Sequence, residues 1–590
     1  MNKISRSTFL KISALGLVGA AKPSDLFSLT PNQIDVVQDD VLLKKVINSS
    51  DLAVERYLGY SYEGIRYYRP LSDAFATYSA SYCHPDSRYH KSQDVLARMD
   101  DILSRLLVLQ YPNGTLDSGG NRQSPPDTAF YLENMCPAAT VLKQADIGET
   151  KDVQDKLNEF LQRAGEGIRT GGVHTPNHRW VVCAILARLY SLFGDEKYVH
   201  RLDEWLAEGI YLNEDGNYPE RSRNYSIVEG QSLITVGRLL NRHELFEVVK
   251  KNLESNYYYM EPNGDLITLD SRRQDQNYTV PIARYYFLYK YLANHYSDAF
   301  FAAIAKEIEG FAGFDRFVLS KLIVFMEEPD LLTEIPANQP LPVNYVKELP
   351  ASGLVRIRRG DTTASIFGGN DKPLTIASGR SNNPTFFTFR KGAAILHSAR
   401  LSTAFFNTGY VRSDGVIKNG NEYYLSERKE AYYYQPMPAD IRNASGDYEL
   451  SESVDDRFWS KMDFENRPKD TIALESSIKI TEENGSFSMD VEVGGSRDVS
   501  VVIAFCFNKG GKLEGVTPAG KEDDYFLESG TAKYTFGDDM IEIGPGKHEH
   551  NSLRGLDGEV YSTHFGTIKG QGMHVYITGI TPFKHSLTIK

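Results

Sequence analysis

The sequence of 590 residues is 41% hydrophobic and 24% charged, an ordinary globular balance with material for large cores, and carries a formal net charge of −13. It contains no Lys/Arg block, which argues against the basic stripe that phosphate-binding nucleic-acid proteins use. The four cysteines, Cys83, Cys136, Cys183 and Cys506, have no CxxC spacing, which argues against a disulfide framework or a cysteine zinc site.

The chain opens MNKISRSTFLKISALGLVGAA. Lys3, Arg6 and Lys11 precede or open the apolar run 12–21, the pattern of a charged n-region followed by an h-region. Residues 1–22 therefore read as a signal peptide, and the protein as exported to the periplasm. SRSTFLK looks like a degenerate twin-arginine signal, with Ser7 where the second arginine would stand. No cysteine follows the apolar run, so no lipid anchor is expected. No later segment reaches the roughly 18 apolar residues of a membrane span.

From about 40 to 330 the pattern is helical. Residues 95–110 repeat apolar side chains every three or four positions, as do 153–168 through Leu157, Phe160, Leu161 and Ala164. The run 180–193, WVVCAILARLYSLF, is apolar all round, as a helix inside a packed ring would be. Further helical runs are predicted at 197–209, 226–240, 243–255, 279–294, 297–308 and 314–326. Short loops rich in Gly, Asn, Asp and Pro join them. This order predicts an α/α toroid, an incomplete barrel of helix pairs with loops at its rim.

Residues 331–350, with Pro336, Pro340 and Pro342, read as a linker. Beyond it the period changes to β. LVRIRRG, TTASIFGG, PTFFTFRKG, AAILHSARLSTAFF, VSVVIAFCF and GMHVYITGI are turn-bounded strands, and Asn484–Gly485 is a strong hairpin signal. Crossover helices are missing, which disfavours a parallel sheet. The predicted fold is α+β multidomain: a toroid over 40–330, then an antiparallel β-sandwich over 351–590.

Four polar loops, each leading into a helix, are the candidate chemistry. SGGNRQSPPDTAF (118–130) offers Asn121, Arg122 and Asp127. GGVHTPNHRW (171–180) crowds His174, Asn177, His178 and Arg179 ahead of the apolar helix, where Asn177 or Thr175 could also be a helix cap. GNYPERSRNYSIVEG (216–230) brings Glu220, Arg221, Arg223, Asn224 and Tyr225. DSRRQDQNYTV (270–280) brings Arg272, Arg273, Asp275 and Tyr278. Arginine grips a carboxylate with two parallel hydrogen bonds, so these loops suit an anionic sugar. The β-region adds GRSNNPTFF (379–387) and His397, which could equally be an ordinary sheet residue.

At NRQSPPDTAF, Asn177–His178, Asn224–Tyr225 and His397 the sequence resembles the α/α-toroid plus β-sandwich polysaccharide lyases, the group of heparinase-, alginate- and chondroitin-lyase-like enzymes. The resemblance implies cleavage beside a uronic acid by β-elimination, giving a 4,5-unsaturated uronate. It implies Tyr225 as the proton-transferring tyrosine, Asn177 and His178 as the pair that neutralises the substrate carboxylate, and His397 as a sandwich histidine reaching the cleft. Asn121, Arg122, His174, Arg179, Arg221, Arg223, Arg272, Arg273 and Tyr278 would bind substrate. The partner is a uronate-containing polysaccharide or oligosaccharide. No cofactor is required, although some members hold a structural divalent metal in the sandwich. His548 and His550 are the candidates here, two ligands being too few for a tetrahedral site.

Two other readings compete. A toroidal glycoside hydrolase acting on an acidic glycan needs two carboxyl groups across the scissile bond, for which Asp127, Glu220 and Asp275 are available. A noncatalytic glycan-binding protein would instead rest on the 36 tyrosines and 29 phenylalanines.

Overall fold

The computed structural model describes residues 38–62, 69–369, 371, 375–376, 379–380, 383–452, 459–553 and 570–590. The predicted leader, 1–22, lies outside them, as do residues 381–382 of GRSNNPTFF. No helix among the described residues is long and apolar enough to cross a membrane.

Twelve α-helices are described: α1 (Asp40–Leu58), α2 (Arg69–Cys83), α3 (Gln93–Leu109), α4 (Pro125–Ala145), α5 (Lys151–Thr170), α6 (His178–Phe193), α7 (Lys197–Leu206), α8 (Arg223–Leu239), α9 (Glu244–Asn256), α10 (Tyr286–Tyr296), α11 (Ala299–Ile308) and α12 (Leu322–Glu327). Helices α2, α4, α6, α8 and α10 pack on one another in that order, and α12 closes the ring against α2 and α4. Helices α3, α5, α7, α9 and α11 lie outside. The sequence explains the division. In α6 nine of sixteen positions are buried, all apolar. In α5 only one face is buried, through Val153, Leu157, Phe160, Leu161, Ala164 and Ile168, the stripe of an outer helix. Caps fix the starts of several helices: Ser124 Oγ accepts from Asp127 N at 3.2 Å for α4, and Ser222 Oγ from Tyr225 N at 3.1 Å for α8.

Two large sheets follow. One, of ten strands, runs in spatial order from Thr517–Pro518 through Asp524–Phe526, Met573–Ile580, Ser500–Phe507, Ala394–Thr403, Phe387–Lys391, Thr362–Phe367 and Leu354–Arg359 to Asn344–Leu349, with Gly409–Tyr410 paired beside Ala394–Thr403. Its strands are antiparallel except for Asp524–Phe526 against Met573–Ile580. The other, of eight strands, centres on Glu422–Tyr434, Lys469–Glu483 and Ser486–Gly494. In the hairpin between the last two, Asn484 and Gly485 both take positive φ (51° and 86°), the left-handed pair that a tight two-residue turn requires. The sheets bury a common core in which Phe387 and Phe389 meet Phe487 edge-on.

The linker prediction needs one correction. Residues 344–349 form the edge strand of the ten-stranded sheet, and Leu349 joins Leu354 and Phe367 in the core of the helical region. No proline falls between Pro342 and Pro350, so the backbone N–H groups of 344–349 are free to pair. The junction also holds a buried ionic cluster. Glu261, on the rim segment between α9 and α10, accepts from Arg356 Nη2 at 2.6 Å and from Thr363 Oγ1 at 2.5 Å, and pairs with Arg390 Nε at 2.9 Å. Burial alone would raise its carboxyl pKa, but the two guanidiniums outweigh it and hold it below the usual carboxylate range.

Candidate active site at the toroid mouth

All four predicted loops enter inner helices, α4, α6, α8 and α10, and they touch. A Cβ on Gly171 would stand 2.2 Å from Pro125 Cγ, so glycine is what allows the first two loops to press together. The His178 ring meets Phe130 edge-on at 5.6 Å and His174 at 4.9 Å. Asn177 Nδ2 donates to Glu220 Oε2 at 2.7 Å, and Arg273 pairs with the other Glu220 oxygen. One network thus joins the second, third and fourth loops. Arg221 takes φ 47°, a left-handed turn that costs a non-glycine residue roughly 1–2 kcal/mol and redirects the chain into α8.

Tyr225 lies at the centre. Gln274 Nε2 donates to its Oη at 2.7 Å, and the Arg273 guanidinium carbon lies 4.5 Å from its ring centroid. His178 is partly buried. Burial first, then His174, push its pKa down to about 4, with Arg273 and Arg69 adding and Asp127 opposing, so the imidazole is neutral at neutral pH. Its Nδ1 has no hydrogen-bond partner among the described residues.

Several predicted substrate contacts are committed elsewhere. Asn177 is fully buried, makes no helix-capping bond and donates Nδ2 to Glu220, while its Oδ1 is buried without a partner among the described residues. Arg223 is fully buried, donating to Asn217 Oδ1 at 2.7 Å and lying 4.0 Å from the Tyr259 ring centroid. Arg221 and Arg272 both clamp Asp371 of the β-region. Arg179 pairs with Glu208 at 2.7 Å, over the Trp180 ring. On a β-hairpin at the rim, Arg122 pairs with Asp117 at 2.7 Å and Asn121 Nδ2 donates to Asp127 Oδ2 at 2.9 Å. His174 is exposed and shares a hydrogen bond with Thr175 Oγ1 at 2.9 Å. Tyr278 is 45% exposed at the mouth.

His397 is not brought to Tyr225. It is exposed on the strand Ala394–Thr403, and the charges acting on it are Arg390, Asp265 and Glu261 of the junction. His548 shares a hydrogen bond with Asn551 Oδ1 at 2.9 Å, and His550 Nε2 lies 3.1 Å from Gly579 O. Among the described residues no group of three His, Cys, Asp or Glu could hold a metal ion.

Sequence reasoning missed Gln274, within a quoted motif, and Arg69, at the start of α2. Arg69 is 46% exposed, lies 4.5 Å from the Phe130 ring centroid and approaches Asp127 only to 3.9 Å. It also missed Glu229 of α8. Both oxygens of this carboxyl are buried without a hydrogen-bond partner among the described residues, and burial, then Glu220, push its pKa well above the usual range against Arg179 and Arg223.

No protein-family model matches the sequence, and no curated protein matches it. Solved structures match along nearly its whole length. Heparinase III superposes with a TM-score of 0.56 at 12% identity, over 95% of this chain and 86% of that one. A chondroitin AC lyase from Streptomyces coelicolor A3, in complex with chondroitin sulphate, gives 0.53 at 11%, over 92% and 79%. A Paenibacillus xanthan lyase gives 0.53 at 9%, over 93% and 57%. The fold is that of the polysaccharide lyases with a helical toroid followed by a β-sandwich. At these identities the likeness is one of fold.

Proposed function

We propose that this chain is an exported polysaccharide lyase that cleaves beside a uronic acid by β-elimination. The observation that carries the reading is Tyr225, whose oxygen receives the Gln274 amide and whose ring faces the Arg273 cation, beside a neutral His178 at the toroid mouth. In β-elimination a base takes the C5 proton and the C5–H electrons form the C4–C5 double bond. The C4–O bond breaks, and the leaving oxygen takes a proton. Tyr225 is suited to take the first proton and, on the same face, to return it to the leaving oxygen.

Negative charge builds on the uronate carboxylate as C5 loses its proton, and a nearby cation stabilises it. Arg69 is suited to that role in place of the buried Asn177. His178, neutral, can hydrogen-bond but adds no charge. This chemistry needs no cofactor.

The carboxyl groups of the four loops favour lyase over hydrolase. Asp275 is buried and accepts from Ser222, Ser271 and the Asn224 backbone. Glu220 is held between Asn177 and Arg273, and Asp127 by Ser124 and Asn121. None is placed as a free general acid. The test is ultraviolet absorbance of purified protein with uronate-containing glycans. An unsaturated product, lost in Tyr225→Phe with folding retained, is expected. Chain shortening without that chromophore would reject elimination.

A further inference from the structure

The bore of the toroid is open below the site. A cavity of about 620 Å³ extends from the mouth between the inner helices, within the size range of small-molecule sites. It is continuous with the site: Phe130 and Arg69 line it, and so does Arg284, which donates to Asn224 next to Tyr225 at 2.5 Å. Its floor is polar. Arg188 lies ten residues into α6 from His178, about 15 Å down a helix rising 1.5 Å per residue. There it pairs with Glu327, which also meets Arg238 at 3.4 Å, and the Arg188 and Glu327 side chains are only 11% and 5% exposed. This buried pair, with Arg238, forms the polar floor of the bore.

Its entrance is cationic and aromatic. The guanidinium carbons of Arg284 and Arg316 lie 6.0 and 5.2 Å from the Phe317 ring centroid, which sets two positive charges near one ring. Neither has a carboxylate within ion-pair distance among the described residues, in contrast to Arg179, Arg221 and Arg272 at the rim. Tyr278 stands at the same entrance. Deeper in, Glu133 lines the pocket and makes no hydrogen bond or ion pair with a described residue.

We infer that this pocket binds the terminal, anionic residue of a uronate-bearing saccharide, so that cleavage proceeds from chain ends. The inference rests on the lyase reading. Two uncompensated guanidiniums suit the carboxylate or sulfate of that residue, the Phe317 and Tyr278 rings suit its apolar face, and the Glu133 carboxyl suits its hydroxyls. A chain end reaching the Arg188–Glu327 floor fills this volume with a few rings, whereas an interior stretch of polymer would have to pass that ion pair.

The experiment follows viscosity and absorbance together on an intact uronate polymer, and then product lengths on size-defined oligosaccharides. The expected result is rising absorbance with little early loss of viscosity and one dominant short product. Arg316→Ala should raise KM about tenfold with kcat little changed. Gln231→Trp, which places an indole in the bore, should do the same, and circular dichroism checks that both fold. A steep early fall in viscosity with products of many lengths overturns the inference while leaving the lyase reading intact. Absence of any unsaturated product sinks the lyase reading instead. The pocket is then judged by calorimetry with glucuronic acid, galacturonic acid and sulfated heparin disaccharides. Binding weakened tenfold or more in Arg316→Ala supports it, and no binding to wild type overturns it.

Discussion

The Arg273 guanidinium lies over the Tyr225 ring at 4.5 Å while pairing with Glu220, so one side chain serves both the tyrosine and the carboxylate that anchors Asn177. Arg273→Ala should therefore do two things. It should lower kcat roughly 100-fold or more, in line with the loss of one preorganised electrostatic contact. It should also lower Tm, because Glu220 is left buried without its cation. Arg273→Lys should rescue Tm more than kcat. Equal recovery of both would show that the residue is only structural.

Arg179 points the other way. It was predicted to bind substrate, but its charge is spent on Glu208. Arg179→Ala should leave kcat/KM within about threefold, and a loss of tenfold or more would return it to the site.

His178 sets a pH dependence of stability. Its pKa is about 4 in the folded chain and near 6.5 when unfolded. Between those values the unfolded chain binds the extra proton, so stability falls as pH drops from 6.5 toward 4. His178→Phe should flatten that part of the stability curve. An NMR titration of the ring with a midpoint near 6.5 would contradict the burial argument.

Glu229 and Glu261 are both buried carboxyl groups, with opposite environments. Glu261→Gln breaks a buried ion cluster and should cost on the order of 3–5 kcal/mol, read by denaturant unfolding. Glu229→Gln replaces a carboxyl whose burial favours the neutral form and should change stability by less than about 1 kcal/mol. A large loss there would mean that Glu229 is ionised and paired.

Glu133 adds a pH signature to the bore. Burial pushes its pKa up to about 7, Asp73 adds to this, and Arg69, Arg188 and Lys321 oppose it. Below pH 7 the carboxyl is neutral. Above it, the group becomes negative and repels an anionic saccharide, so KM should climb through that range. Glu133→Gln should abolish the climb, and an unchanged profile would show that Glu133 does not face the ligand.

The architecture was legible because local patterns encode it: the all-round apolar α6, the striped α5, the Asn484–Gly485 turn and the change of period near residue 340. The convergence of four loops was legible from their shared place before inner helices. What each polar side chain does there was not. Asn177 is claimed by Glu220, 43 positions away, and Arg221 and Arg272 by Asp371, 150 and 99 positions away. A composition-rich loop cannot reveal which of its charges a distant partner has already neutralised. The arginines on which the proposed reading rests, Arg69, Arg284 and Arg316, each lie outside or at the edge of the dense motifs.

Glu261 binds the rim of the toroid to three adjacent strands through Arg356, Thr363 and Arg390. Widening the space between rim and sheet means drawing a carboxylate away from two guanidiniums in a dry interior. The seating of rim on sheet at this junction is thus fixed when the chain folds, and shifting it would cost the burial of a charge without its partners.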